Sequence, residues 1–471
     1  MSNLMEALQT ENTTTTNGMT TNSSSLNECV NLFFSIGAMR GKNKKTLISL
    51  FSKAFNEDPR TATRILFWSR DIRGGAGERQ IFRDIIRHLA ENYPQVVKSN
   101  LDLIPEYGRW DDVQELFGTE LEVDTVSLLV QALIDEDGLA AKWMPRKGIV
   151  FNKVRKALKV TPKQLRKLIV SLSNTVEQKM CSKKWGEIEY SKTPSLAMTR
   201  YMKSFGRNDY ERFSEYIESL KKGEVKVNAG ALYPYDITKS LKLGGNKDLA
   251  NEQWKALPNY MEGSEELILP MVDVSGSMNC PAGNNPNLNC MEVAISLGMY
   301  ISERNEGDFK DMFMTFSSEP KIEKLLGPLS DRYHQLSRAD WGMSTNLESA
   351  FGTLLNQAIK FNIPQNQMPT KILILSDMEF NHAVGEFNPT AMGMIDTMFT
   401  QAGYVRPGII FWNINARGGN FPATCNEDGT ALISGFSPSI MKSVISNPNS
   451  LTPVNIMKET VDSKRYESVT V

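Results

Sequence analysis

Five oxygen-bearing side chains in the C-terminal half have the types and spacing of a hard-cation site. Asp273-Val274-Ser275-Gly276-Ser277 offers one carboxylate and two hydroxyls within a single turn, directly after the apolar run LILPMV. A second apolar run, KILILSD, ends in Asp377, and Thr345 stands between the two in WGMSTN, just ahead of a helical pattern. Carboxylate and hydroxyl oxygens suit Mg²⁺, with Mn²⁺ or Ca²⁺ as alternatives, rather than thiolate-seeking metals. The competing reading is an ordinary strand-to-helix turn capped by serine. Three segments meeting at one strand edge argue against it. Such a donor set by itself points to binding chemistry. A hydrolytic centre would need a base or several further carboxylates. Glu379 follows closely in Asp377-Met378-Glu379 and is read as a solvated loop acid, with a supporting role at the site as the alternative.

A second constellation is electrostatic. Residues 142–184 hold 13 Lys and Arg against a single acid, Glu177. Candidate contacts to a phosphate backbone are Lys142, Arg146, Lys147, Lys153, Arg155, Lys156, Lys159, Lys163, Arg166 and Lys167. In FNKVRKALKVTPKQLRKLIVSL the apolar residues Val154, Leu158, Leu165, Leu168 and Ile169 keep helical spacing, which leaves the cations on exposed faces. Thr161-Pro162 predicts an N-cap and first position for the second helix. A dense surface of one sign draws nucleic acid by counterion release. The alternative is a solvated face that balances an acidic C-terminal half. From Ser264 onward there are 14 basic and 22 acidic residues, against 39 and 32 before it. Glycines in Arg73-Gly74-Gly75-Ala76-Gly77, ahead of a helix, suggest either a phosphate-accepting turn or a plain helix-to-helix connection. Met180-Cys181-Ser182-Lys183-Lys184-Trp185 sets cations beside an aromatic, with burial of Trp185 as the simpler reading.

The elements that must position these residues divide in two. From Leu26 to about Ala256 the apolar spacing is helical, as in TLISLFSKAF, TATRILFWSR, ERQIFRDIIRHLAENY and VDTVSLLVQALIDED, with short breaks at Asp58-Pro59, Gly74-Gly75, Pro94 and Pro105. Stacked helical hairpins are expected there. Beyond Met261, the runs LILPMVDVS, DMFMTFSS, KILILSD and GIIFWNIN alternate with helical stretches, predicting a doubly wound, Rossmann-like α/β domain. Ligands of such sheets sit at the carboxyl ends of the strands. Pro270 inside the first strand removes a ladder donor and predicts a bulge. The expected domains are a disordered polar tail over 1–25, a helical domain over 26–260 and an α/β domain over 264–471.

Composition narrows the function classes. No run approaches the roughly 18 apolar residues of a membrane span. The opening MSNLMEALQTENTTTT has no charged-then-apolar leader, so a cytoplasmic location is expected. The five cysteines show no CxxC spacing, although Cys280 and Cys290 flank one loop.

The stretches DIRGGAGER, IPEYGRWDD, KWMPRKG, SKKWGEIEYSKTPSLAMTRY, VNAGALYPYDI, LPMVDVSGSM, WGMSTN and LSDMEF carry a resemblance. Together they resemble relatives from plants, bacteria, large viruses and phages that share the architecture of the Ro ribonucleoprotein family. That architecture is a HEAT-like helical module, the TROVE module, followed by a von Willebrand A domain with a metal-ion-dependent adhesion site. The resemblance implies Ser275, Ser277 and Thr345 as direct metal ligands, and Asp273 and Asp377 as direct or water-mediated ones. It implies RNA, of the small noncoding class, as the ligand of the basic helices, and a non-enzymatic role. The alternatives are an assembly scaffold that uses the metal site without nucleic acid and, last, a metal-dependent nuclease or phosphatase.

Overall fold

The computed structural model describes residues 12–283, 285–316, 320–337, 345–382, 389–416, 419–446 and 451–471. The chain forms two compact units. One comprises Met1–Ile65 with Leu232–Ser463, the other Leu66–Ala231 with Lys464–Val471. This division corrects the expected contiguous domains at both ends.

The first unit is built on a six-stranded sheet. Its strands are β3 (Ile268–Asp273), β6 (Met312–Phe316), β7 (Ile322–Lys324), β8 (Lys371–Ser376), β9 (Gly408–Asn413) and β10 (Thr430–Ser434), in the order β10-β9-β8-β3-β6-β7. All neighbours are parallel except β7, which pairs antiparallel with β6. Every residue of β3, β8 and β10 is buried, as expected for a parallel sheet covered on both faces. Two short hairpin strands, β4 (Pro281–Ala282) and β5 (Asn285–Asn289), follow β3. The helix Cys290–Arg304 then starts on a capping box between Asn289 and Glu292. It lies so close to the sheet that a Cβ at Gly298 would fall 2.7 Å from Val272 and Phe313.

Pro270 does not cause a bulge. Pairing of β3 with β8 runs in register from Ile268 to Val272, while pairing with β6 begins only at Met271. The missing N–H falls where the second ladder has not started.

The segment expected to be a disordered tail is ordered from Asn12 onward. β1 (Asn12–Thr14) and β2 (Thr20–Asn22) form a hairpin. Thr15 Oγ1 donates to Phe380 O at 2.6 Å, and Asn22 N and Phe421 N each donate to the other residue's carbonyl. Long-range hydrogen bonds and the buried Met19 side chain hold this polar stretch. The helix Glu28–Ile36 also belongs to the sheet unit. Ser434 Oγ, at the end of β10, donates to Phe33 O at 2.8 Å and accepts from Gly37 N at 3.1 Å. A Cβ at Gly37 would lie 2.7 Å from Gly435.

The second unit is helical, with helices at Arg79–Asn92, Glu122–Ile134, Gly148–Ala157, Pro162–Ser173, Ser195–Asn208 and Tyr210–Lys221 among its longer ones. A buried ion network fixes its first part. Asp112 accepts from Arg70 Nε at 2.7 Å, Arg83 Nε at 2.6 Å and Arg109 N at 2.9 Å. Asp111 takes Arg83 at 2.7 Å and Arg109 at 2.8 Å. The last residues of the chain join this unit. Arg465 pairs with the buried Asp71, Tyr466 Oη donates to it at 3.0 Å, and Thr470 and Asn100 exchange two hydrogen bonds. Residues 464–471 are therefore not part of the sheet unit that the expected boundaries gave them to.

Candidate functional site

The end of β3 presents Asp273, and the end of β8 delivers Ser376 and Asp377 beside it. β8 and β6 flank β3 on opposite sides, so this edge is where the sheet order switches direction, the usual place for a ligand crevice. Asp273 is fully buried; its Oδ1 accepts from Ser275 N at 2.9 Å and its Oδ2 from Ser376 Oγ at 2.6 Å. Ser275 is buried, Ser277 half-buried, and their hydroxyl oxygens lie 2.9 Å apart. Burial, reinforced by the charge of Asp377, pushes the Asp273 carboxyl up to about 7, against hydrogen bonds from Ser376 and Ser275 that act the other way.

Thr345 is buried beside the loop that leaves β8, where Asn381 N donates to its carbonyl at 3.0 Å. Residues 341–344 of the WGMSTN motif lie outside the described residues. Asn346 caps the following helix, Leu347–Lys360, by accepting from Ser349 N at 2.8 Å. Met378, next to Asp377, holds a left-handed backbone at φ 65°. That conformation is unusual for a long side chain, and its N–H is taken by Ser376 Oγ at 3.0 Å.

The oxygen chemistry fits a hard cation. Two buried carboxylates, Asp273 and Asp377, repel each other, and the Ser275 and Ser277 hydroxyls lie on the turn that follows Asp273. Among the described residues no three of His, Cys, Asp and Glu are grouped so as to hold a metal ion by themselves. A cation here would depend on Ser275, Ser277 and Thr345 as much as on the acids, the rest of its shell coming from water or a ligand.

Two contributors were not singled out in the sequence. Ser376 bridges the two strand ends; a serine closing a strand carries no spacing signal of its own. Asn17, from the loop between β1 and β2, donates through Nδ2 to Thr345 Oγ1 at 3.4 Å and to Glu379 O at 2.6 Å. Glu379 is no solvated loop acid. It is buried and accepts from Thr16 N at 2.5 Å and Asn420 Nδ2 at 2.9 Å. The N-terminal hairpin thus clasps the loop that carries Asp377.

The basic segment folds as the spacing predicts. Gly148–Ala157 and Pro162–Ser173 are consecutive helices, with Phe151, Val154, Leu165 and Ile169 buried and a Thr161–Gln164 capping box on the second. Lys147, Lys156, Lys159, Lys163 and Lys167 are exposed. Among the described residues none of these five has an acidic partner within ion-pair distance. Other candidates are engaged. Lys153 pairs with Glu122, Arg155 donates to Val160 O at 3.1 Å, and Arg166 donates to Arg146 O at 3.3 Å while lying over Phe151. Lys142 is half-buried beside the Trp143 ring, and Arg146 is exposed.

The glycine-rich turn is not a phosphate cradle. Gly75 N and Gly77 N donate to Asp71 O, Ala76 N to Trp68 O, and Glu78 N to Ser69 O. Gly75 is required because a Cβ there would lie 1.9 Å from Trp68 O. Trp185 is half-buried, its carbonyl held by Arg212 at 2.9 Å.

Two family models each match a part of the chain. Residues 268–469 match a family described as "Domain of unknown function (DUF7788)". Residues 15–109 and 147–267 match "Domain of unknown function (DUF2828)". A protein of Acanthamoeba polyphaga mimivirus, described as uncharacterized, is 28% identical over 521 residues, covering 95% of this chain and 89% of its own. Among solved structures, the Deinococcus radiodurans Ro (RSR) protein aligns with a TM-score of 0.49 at 14% identity, over 93% of this chain and 99% of that one. No helix among the described residues is long and apolar enough to cross a membrane.

Proposed function

We propose that this chain is a non-enzymatic RNA-binding protein. Its helical unit carries the RNA, and its sheet unit, a von Willebrand A-type domain, recruits an acidic partner protein through a divalent cation. The observation that carries the RNA reading is the set of exposed lysines, Lys147, Lys156, Lys159, Lys163 and Lys167, on two consecutive helices and their flanks, which have no acidic partner within ion-pair distance among the described residues. A structural surface would be expected to neutralise such a cluster, as Glu122 does for Lys153. Fixed cations of this kind replace the counterions of a phosphate backbone.

At the sheet edge, Ser275, Ser277 and Thr345 would hold the cation directly and Asp273 and Asp377 directly or through water. Mg²⁺ is the first expectation. When bound, it supplies an open coordination position that a carboxylate or phosphate can fill. Ser376 keeps the Asp273 carboxylate oriented, and Asn17 keeps Thr345 against the β8 loop.

The test is purification from the native cell with ultraviolet crosslinking and sequencing. Covalently attached RNA, lost when Lys147, Lys156, Lys163 and Lys167 are changed to Glu, is the expected result. A nucleic-acid-free assembly would favour the scaffold reading instead.

A further inference from the structure

The hairpin beside the metal-site turn ends in two cysteines placed to react with each other. Cys280 follows directly on the short turn Gly276–Asn279, which contains Ser277, and Cys290 opens the helix Cys290–Arg304. Their sulfurs stand 3.5 Å apart, and Cys290 N donates to Cys280 O at 3.0 Å, so the two residues face each other across the base of the β4–β5 hairpin. A cross-strand pair has the Cα separation that a disulfide needs, and closing the sulfurs to about 2.0 Å takes a side-chain adjustment rather than a backbone move. The other three cysteines are elsewhere: Cys29 and Cys425 are buried, and Cys181 is exposed in the helical unit.

We propose that Cys280 and Cys290 form a reversible disulfide that clamps the turn presenting Ser277. Cys280 is the half-buried, more accessible sulfur, and Cys290 is buried behind it. With hydrogen peroxide as oxidant, the Cys280 sulfur attacks a peroxide oxygen, the O–O bond breaks, and a sulfenic acid forms as water leaves. The Cys290 sulfur then attacks the Cys280 sulfur, the S–O bond breaks, and a second water leaves with the remaining thiol proton. Two thiols and one hydrogen peroxide give one disulfide and two waters. A small thiol reverses the step by exchange. The new bond adds a covalent tie to the hairpin base, where Cys290 N donates to Cys280 O, the two thiols touch, and Asn415 Nδ2 donates to Cys280 Sγ at 3.2 Å. The adjoining turn is held by Met278 N to Ser275 O at 3.1 Å and a longer Cys280 N to Ser277 O bond at 3.4 Å. The weaker of these is the one the clamp protects.

The full chain is treated with hydrogen peroxide, quenched, alkylated and digested, and its cysteine linkages are read by mass spectrometry. A Cys280–Cys290 link is expected in preference to any other pairing. It should be absent from Cys280→Ser and Cys290→Ser, and removed by dithiothreitol. Hydrogen exchange on the oxidised and reduced protein then reads the clamp, with amide exchange over residues 276–283 slowed at least threefold on oxidation. Persistently alkylatable thiols, or a link to Cys181 instead, would overturn the pairing. A formed link with unchanged exchange would overturn the clamp. Neither readout depends on metal binding, so the result stands apart from the function proposed above.

Discussion

Replacing Asp112 by Ala should loosen the helical unit severely. The Asp112 side chain is fully buried and accepts three donors at once, Arg70 Nε, Arg83 Nε and Arg109 N. Arg70 is itself only 5% exposed, so the substitution strands a buried guanidinium, not merely a surface pair. Removing one partner of a buried ion pair costs about 3–5 kcal/mol. Asp112→Asn is the informative companion. Its amide can keep an oxygen toward Arg70 and Arg109, but its NH₂ must then face the Arg83 donor. The expected cost is about 1.5–3 kcal/mol, the range for a lost hydrogen bond to a charged group. A single melting temperature is not well defined for a chain of two compact units. Native-state hydrogen exchange of the Arg79–Asn92 amides is therefore the better assay. Asp112→Ala should lower their protection by about two to three and a half decades, the conversion of that free energy. Protection within about tenfold of wild type would refute the view that this network holds the unit together.

Other predictions follow from single contacts. Gly75→Ala should destabilise the helical unit strongly, because its Cβ would overlap Trp68 O at 1.9 Å; Gly186→Ala, with nothing within 4 Å, serves as the near-neutral control in the same unfolding assay. Mg²⁺ at a hundredfold excess over its Kd should stabilise the sheet unit by about 2.7 kcal/mol. Calorimetry should show that gain in wild type and lose it in Ser277→Ala; an equal gain in both would remove Ser277 from the ligand set. Asn17→Ala removes the bonds to Thr345 and Glu379 and should cost about 1 kcal/mol. It should also speed amide exchange at His382, whose N–H donates to Asn17 O.

The carboxylates and hydroxyls of the candidate site were legible because each carries its own chemistry and closes a recognisable run. Asp273 ends LILPMVD, and Asp377 ends KILILSD. What was hidden depended on distance along the chain. Asn17 reaches Thr345 across 328 residues, and no local pattern separates that clasp from a polar tail. The same holds for the last eight residues, whose Arg465 finds Asp71 at the other end of the chain. The charge of the 142–184 segment was readable, but its partners were not. Glu122 lies outside any window centred on Lys153, and the acceptors of Arg155 and Arg166 are main-chain carbonyls with no sequence identity. The glycine turn was readable as a turn; whether its N–H groups were open to a phosphate depended on Asp71, Trp68 and Ser69 carbonyls.

These pairings also sharpen the choice of variants. Arg166 packs on Phe151, so changing it would mix charge with packing. Lys159 holds a left-handed backbone at φ 55°, where any substitution acts on the turn as well. Lys147, Lys156, Lys163 and Lys167 are free of both complications.

The most direct measurement of the central claim is the salt dependence of binding to single-stranded RNA by the full chain and by the Lys147, Lys156, Lys163 and Lys167→Glu variant. Five phosphate contacts predict a slope of about −3.5 in log K against log salt, a loss of about a hundredfold between about 50 and 200 mM. The variant should bind weakly, with the slope reduced by about 3. Equal affinity and equal slope for the two proteins would contradict the assignment of RNA to this surface.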